Sequence, residues 1–145
     1  MNKSSFDNLP ELTKQESLCI LATPIDKLRL KSDYYKAVFH LAKYPDNDTI
    51  QALMSLVESQ VYDNSLIIAK RKAIEVLANL YCFDAIDIIA KCLSSPDIYT
   101  VENASWALGK LNCQSYEIHS KIGSLLIDSN QNRRVLVQSL NSMNA

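Results

Sequence analysis

Apolar side chains recur every three or four residues along most of this chain, which is the spacing of one face of an α-helix. Between Val101 and Leu111, for example, Val101, Ala104, Leu108 and Leu111 follow one another at intervals of three, four and three. No stretch shows the sustained alternation of polar and β-branched apolar residues that a half-buried strand requires. The pattern therefore predicts an all-α fold.

Cap-type residues divide this pattern into separate helices. Ser32 and Asp33 are expected to open one helix, and Asp84 is expected to cap another. Residues 1–31 have a mixed pattern that predicts only a short N-terminal capping helix, beginning near Pro10. We take this segment as one part of the chain and residues 32–145 as the other.

The predicted helices repeat along the chain. Four residues recur with the same type at an offset of 31 residues, namely Ala73, Leu77, Leu80 and Cys82, which align with Ala104, Leu108, Leu111 and Cys113. A period of about 30 to 40 residues built from helix pairs is typical of an α-solenoid of the HEAT class. Such arrays have a continuous core and a concave surface on which they usually bind their partners.

The last repeat is predicted to be incomplete. The segment NQNRRVLVQSLNSM reads as a first helix without a second, which gives about three and a half repeats between residues 32 and 145. We expect Leu136, Leu140 and Met143 to be poorly covered at this end. An exposed apolar end of that kind is a natural docking site.

Composition and charge argue against several classes of function. The net charge of −1 and the even spread of Lys and Arg do not favour nucleic-acid binding. The longest apolar run near the N-terminus, Leu18 to Ala22, is too short for a signal peptide or a membrane span. We therefore expect an intracellular protein with reduced thiols.

The sequence also lacks the motifs of common catalytic and metal sites. No pair among Cys19, Cys82, Cys92 and Cys113 has CxxC spacing, and the two histidines have no metal-ligand spacing. Because Cys82 and Cys113 occupy equivalent repeat positions, we interpret them as packing residues. No metal site is predicted.

A second stripe on the helix that contains VENASWALGKL is aromatic and polar. It consists of Tyr99, Asn103, Trp106, Lys110 and Cys113, spaced four, three, four and three residues apart. In one interpretation Trp106 packs between neighbouring repeats while Asn103 bonds a neighbouring backbone. In the other, Trp106 and Tyr99 contact a ligand or partner, because such rings supply large contact area at low entropic cost.

Other residues allow a similar choice between packing and binding. We expect one of Tyr34 and Tyr35 to be buried and the other to be exposed, where it would suit stacking on a flat ligand. The basic residues Lys70–Lys72, Arg133 and Arg134 are interpreted either as solvated helix faces or as groups that recognise carboxylates.

Four segments in order carry a resemblance to a known family. SDYYKAVFHL, AKRKAIEVLANL, VENASWAL and NQNRRVLVQSL together resemble the E/F-type phycobilin lyases, which are HEAT-like proteins of cyanobacteria and red-algal plastids. The resemblance runs from about Ser32 to Met143. The chain departs from the family pattern at Ser105 and Ser129, where the family has Ala and Pro.

The resemblance implies a function in chromophore attachment. Members of this family attach linear tetrapyrroles (bilins) through a thioether to cysteines of phycobiliproteins, usually as a heterodimer of two related HEAT-repeat subunits. The bilin would be a substrate and not a cofactor, and the location would be the cyanobacterial cytoplasm or the plastid stroma. The alternative is a non-catalytic chaperone or scaffold that binds a phycobiliprotein subunit or a sister lyase chain.

The resemblance and the chemistry of bilins together suggest roles for individual residues. Because the acceptor protein supplies the attacking thiolate, the lyase would act by holding the bilin close to it. The aromatic residues expected to pack on the pyrroles are Trp106, Tyr99, Tyr34 and Tyr35.

Charged residues would contact the polar groups of the bilin. Glu102 or Asp33 would accept hydrogen bonds from the pyrrole N–H groups and favour the protonated, electrophilic bilin. Arg133 or Arg134 would hold the propionates, because a guanidinium matches the geometry of a carboxylate.

Overall fold

The computed structural model describes residues 11–28, 30–60, 63–128 and 130–143, and these form helices joined by short turns, with no strand among them. The all-α prediction is therefore confirmed. The helices are α1 (Lys14–Ala22), α2 (Asp33–Leu41), α3 (Asn47–Glu58), α4 (Asn64–Asn79), α5 (Ile86–Lys91), α6 (Ile98–Lys110), α7 (Tyr116–Leu125) and α8 (Arg133–Met143).

The helices pack as four consecutive pairs. Within each pair the first helix contacts the second, so that α1 packs on α2, α3 on α4, α5 on α6 and α7 on α8. The second helices also contact one another in the order α2, α4, α6 and α8. We call the surface formed by these four helices the second-helix layer.

The N-terminal helix changes the count of repeats. The predicted capping helix exists as α1, and it begins after Thr13, whose hydroxyl accepts a hydrogen bond from Glu16 N–H at 3.1 Å. Pro10 lies outside the described residues. Because α1 is the partner of α2, the described residues make four pairs instead of about three and a half, and α8 is the second helix of the last pair.

The ends of α4 and α6 show the internal repeat in the backbone. Cys82 N–H donates to Leu77 C=O at 3.0 Å, and the equivalent bond 31 residues later is 3.1 Å long. Both ends have a left-handed residue at the same position, Tyr81 with φ 53° and Asn112 with φ 51°. This arrangement is a Schellman motif, and its recurrence confirms the repeat predicted from sequence.

The predicted helix caps are only partly correct. Asp97 caps α6 by accepting a hydrogen bond from Thr100 N–H at 3.1 Å. Asp84 does not cap α5, because it lies within a 3₁₀ turn, Phe83–Ala85, that leads directly into that helix. Ser32 precedes α2 with helical backbone angles and makes no side-chain capping bond.

The C-terminal helix is better covered than the sequence suggested. Leu136 and Met143 are buried and Leu140 is partly buried, because α8 packs against both α6 and α7. The prediction that these side chains are exposed at the end of the array is therefore wrong.

Small residues bring α6 and α8 very close together. Ser139 Oγ donates to Ser105 C=O at 2.5 Å, and a Cβ placed on Gly109 would lie only 2.9 Å from Ser139 Cα. The hydroxyl of Ser105 is buried and donates to Val101 C=O at 2.9 Å, so its polar atom is satisfied. The departure from the family pattern at Ser105 is thereby accommodated, whereas Ser129 lies outside the described residues.

We predict that Gly109→Ala destabilises the protein although alanine is the better helix former. The added methyl would collide with the backbone of α8, and overpacking of this kind costs about 1–3 kcal/mol. Gly123→Ala is the matched control on α7, because a Cβ there meets no atom within 4 Å. The control is expected to raise stability by about 0.5–1 kcal/mol. Thermal unfolding of both variants, followed by circular dichroism, tests the contact, and equal effects would contradict it.

Candidate functional site

The helix α6 separates a buried face from an exposed aromatic face. Val101 and Leu108 of the predicted core stripe are buried, whereas Trp106 is 39% exposed and Tyr99 is 57% exposed. Cys113, which the sequence placed on the same stripe as Trp106, is instead buried. The two large rings therefore lie on the second-helix layer and are accessible to a ligand.

Asn103 connects this aromatic face to α4. Its side-chain amide donates to Arg71 C=O at 3.4 Å, so the predicted bond to a neighbouring backbone is confirmed. The Arg71 guanidinium carbon lies 5.3 Å from the ring centroid of Tyr99 and pairs with Asp97 at 3.7 Å. A cation–π contact thus joins α4 to α6.

A similar contact joins α4 to α2. Lys72 Nζ lies 5.7 Å from the ring centroid of Phe39 and 3.3 Å from a carboxylate oxygen of Glu75. Phe39 is exposed, as is Tyr35 one helical turn before it. Aromatic surface therefore extends over α2 as well as α6.

Lys110 at the end of α6 lies beside two rings. Its Nζ atom is 5.6 Å from the ring centroid of Tyr81 and 5.6 Å from that of Trp106. Together these contacts define a set of exposed or half-exposed residues that we call the aromatic–cation stripe, comprising Tyr35, Phe39, Arg71, Lys72, Tyr81, Tyr99, Trp106 and Lys110.

A cavity of about 480 Å³ continues the stripe between α6 and α8. Trp106 and Lys110 form one side, and most of the residues on the other side are polar, including Gln138, Asn141 and Ser142. Another cavity of about 510 Å³, among α1 to α4, is lined by uncharged and mostly apolar residues. Only the first of these two cavities offers a cation and an accessible tryptophan together.

The two adjacent tyrosines have the different environments that were expected. Tyr35 is exposed, whereas Tyr34 is only 2% exposed and its hydroxyl donates to Thr23 C=O at 2.5 Å. Burial raises the pKa of the Tyr34 phenol above its usual value. The prediction that Tyr34 contacts a ligand is therefore wrong, because its ring is enclosed in the core.

The structure brings some of the predicted charged residues to the stripe and separates others from it. Glu102 lies on α6 one turn before Trp106 and is half-buried. Asp33 lies on α2, two helices away in the layer, at about 8–10 Å per helix. Arg133 donates to Leu126 C=O at 2.6 Å, whereas Arg134 is exposed on α8.

Sequence reasoning missed most of the cations of this surface. Lys70–Lys72 was interpreted as a basic run without a firm role, and Tyr81 and Phe39 were not considered for binding. The repeat offsets supply the missing signal, because 36 and then 31 residues lead from Tyr35 to Arg71 and from Arg71 to Glu102. Extending the alignment from core positions to exposed ones would have collected these side chains on one surface.

The described cysteines do not form a nucleophilic or metal site. Cys92 and Cys113 are buried, and burial raises the pKa of the Cys92 thiol. Within the described part of the chain, no group of three or more His, Cys, Asp or Glu side chains is arranged to hold a metal ion. Among those same residues, no helix combines the length and hydrophobicity needed to cross a membrane.

Two curated proteins are similar to this chain over most of its length. It is 36% identical over 135 residues to an uncharacterized phycocyanin operon protein Y of Pseudanabaena tenuis, covering 93% of this chain and 32% of that protein. It is 39% identical over 115 residues to the bilin biosynthesis protein CpeY of a Synechococcus species, covering 79% of this chain and 27% of that protein. The chain thus spans about a third of the length of these relatives. No protein family model matches it.

A solved structure shares the fold. The complex of CpcE and CpcF of phycocyanin lyase from a Nostoc species contains a chain that matches with a TM-score of 0.78 and 21% identity. The match covers 99% of this chain and 57% of the other. The predicted HEAT-like solenoid is confirmed, and both curated relatives agree with the resemblance drawn from the four motifs.

We predict that Trp106→Ala costs far less stability than Leu108→Ala, although it removes more atoms. A half-exposed ring contributes little to the core, so the first change is expected to cost about 1–2 kcal/mol, whereas removing the buried leucine costs about 2–5 kcal/mol. Urea unfolding of both variants measures the difference. Equal losses would place Trp106 in the core and remove it from the candidate site.

Proposed function

We propose that this chain, a member of the E/F-type phycobilin lyase family, binds a linear tetrapyrrole on its second-helix layer and assists its attachment to a phycobiliprotein cysteine. The observation that carries the proposal is the aromatic–cation stripe, on which exposed rings alternate with basic groups across α2, α4 and α6. A bilin is a flat conjugated molecule with two propionates, so rings and cations together match its chemistry.

The proposed reaction is the addition of a thiol to an exocyclic double bond of the bilin. The acceptor's thiolate forms the C–S bond, the thiol proton ends on the tetrapyrrole, and no group leaves. The buried Cys92 and Cys113 of this chain are unsuited to act as the nucleophile. The chain instead contributes by placing the bilin near the acceptor cysteine, which lowers the barrier through proximity and orientation.

Individual residues of the stripe have distinct tasks in this proposal. Trp106 and Tyr99 pack against the pyrrole rings, and Tyr35 extends the aromatic surface on α2. Glu102, on the same face of α6 as Trp106, accepts hydrogen bonds from pyrrole N–H groups and so favours the protonated, electrophilic bilin. Asp33 lies too far along the layer to share this task.

The partners of the proposed activity are a phycobiliprotein subunit and a related helical-repeat lyase chain. Support for the second partner is that the structural match comes from a complex of CpcE with CpcF. The bilin enters as a substrate and leaves bound to the acceptor. A location in the cyanobacterial cytoplasm or the plastid stroma stays a prediction of the family resemblance.

We predict that Trp106→Ala lowers bilin attachment about tenfold or more, because it removes the central ring of the stripe. The assay is co-expression with bilin-forming enzymes and a phycobiliprotein subunit, with and without a sister lyase chain, scored as covalent fluorescence on a denaturing gel. Tyr116→Ala is the matched control, since Tyr116 is 82% exposed on α7, outside the second-helix layer. A tenfold loss corresponds to about 1.4 kcal/mol of transition-state stabilisation.

The same assay separates the lyase from the non-catalytic alternative. A chaperone or scaffold would form a stable complex with the apo-subunit, yield no fluorescence that depends on this chain, and leave the absorbance spectrum of free bilin unchanged. Equal attachment by wild type and Trp106→Ala would show that the stripe is not the bilin site.

A further inference from the structure

We propose that Lys110 binds a propionate carboxylate of the tetrapyrrole at the mouth of the cavity between α6 and α8. This inference rests on the proposed function and identifies the cation that anchors the ligand. It replaces Arg133, which the sequence had suggested for this role and whose guanidinium already donates to Leu126 C=O.

The first step of the argument is that Lys110 is the cation of the stripe without an acidic partner. Arg71 pairs with Asp97 at 3.7 Å and Lys72 pairs with Glu75 at 3.3 Å. Among the residues that the structure describes, no carboxylate lies within 4.0 Å of Lys110 Nζ. Its ammonium therefore keeps its three hydrogen-bond donors available for an anionic ligand.

The second step is that neighbouring rings fix the position of this ammonium. Lys110 Nζ lies 5.6 Å from the ring centroids of both Tyr81 and Trp106. Contacts with two rings restrict a side chain that otherwise has many rotamers. A pre-positioned cation loses less entropy when it binds an anion, so the affinity gained is larger.

The third step is that the cavity suits a carboxylate joined to a flat conjugated system. Its volume of about 480 Å³ lies within the usual range for small-molecule sites. Gln138, Asn141 and Ser142 offer neutral donors opposite Lys110, and no acidic residue lines the cavity. The Trp106 ring provides a flat wall at the side from which a pyrrole would approach.

The fourth step is the unusual backbone of Tyr81. At φ 53° a bulky aromatic residue is strained, whereas Asn112 at the equivalent end of α6 is a residue type that tolerates φ 51° well. Strained residues are concentrated at functional sites. The strained position keeps the Tyr81 ring beside Lys110, which gives the ring a function in place of an ideal capping residue.

The experiment compares biliverdin, which has two free propionates, with its dimethyl ester, which has none. Each is titrated into the purified 145-residue chain while the absorbance spectrum is recorded. We expect wild type to bind the acid about tenfold more tightly than the ester, the difference expected for one charge-assisted hydrogen bond. Lys110→Gln is expected to bind both ligands with the affinity that wild type has for the ester, and Lys110→Arg is expected to restore the preference.

Two further variants sharpen the test. Lys121→Gln removes an exposed lysine from α7 and is expected to keep the full preference for the acid. Tyr81→Asn introduces the residue found at the equivalent position of α6, so it relieves the backbone strain and is expected to fold at least as well. It is nevertheless expected to reduce the preference for the acid about threefold, because Lys110 loses one of its two rings.

The outcomes distinguish this inference from the function on which it rests. Equal affinity of wild type for the two ligands, or a preference that persists in Lys110→Gln, would overturn the role of Lys110 and leave bilin binding in place. Failure of wild type to bind either ligand would overturn the proposed function and this inference with it. The melting temperature of Lys110→Gln is measured alongside, and it is expected to match wild type because the side chain is exposed.

Discussion

The close contact between α6 and α8 determines which side chains this chain can present to a ligand. The buried face of α6 carries small residues, including Ser105, Ala107 and Gly109, and the hydroxyl of Ser139 reaches the backbone of α6. Larger residues cannot be accommodated on that face, so the bulky Trp106 lies on the opposite side of the helix, at the exposed surface. The accessibility of the ring is therefore a consequence of the core packing.

Local features of the fold were predictable from the sequence, whereas contacts between repeats were not. Helical periodicity and the 31-residue offset depend on neighbouring residues, and both are recovered in the structure. The covering of Leu136 and the burial of Tyr34 depend on packing between different helices, which periodicity does not specify. The pairing of α1 with α2 has the same origin, since nothing local shows which neighbour a helix will choose. For the site, Trp106 was identified because tryptophan is rare, whereas Lys110 and Arg71 have no rarity to distinguish them from solvated residues.

The cations of the second-helix layer act first on the rings beside them. Arg71 and Lys72 on α4 hold Tyr99 of α6 and Phe39 of α2, so one helix orders aromatic side chains on both neighbours. Exposed rings lose side-chain entropy when a ligand fixes them, and rings that are already held lose less. The paired carboxylates Asp97 and Glu75 fix these two cations in turn. We infer that the layer is organised before any ligand arrives.

An open surface suits the proposed reaction better than an enclosed pocket. The thiol that attacks the bilin belongs to a second protein, so one edge of the bound ligand must stay accessible to a cysteine from outside. A stripe of rings and cations across parallel helices binds one face of the ligand and leaves the other free, whereas a closed cavity would exclude the acceptor. The binding energy is then used to orient the bilin and not to enclose it, which is the form of catalysis that proximity requires. A single anchored carboxylate is sufficient to set that orientation, because the flat ring system already confines the ligand to the plane of the surface.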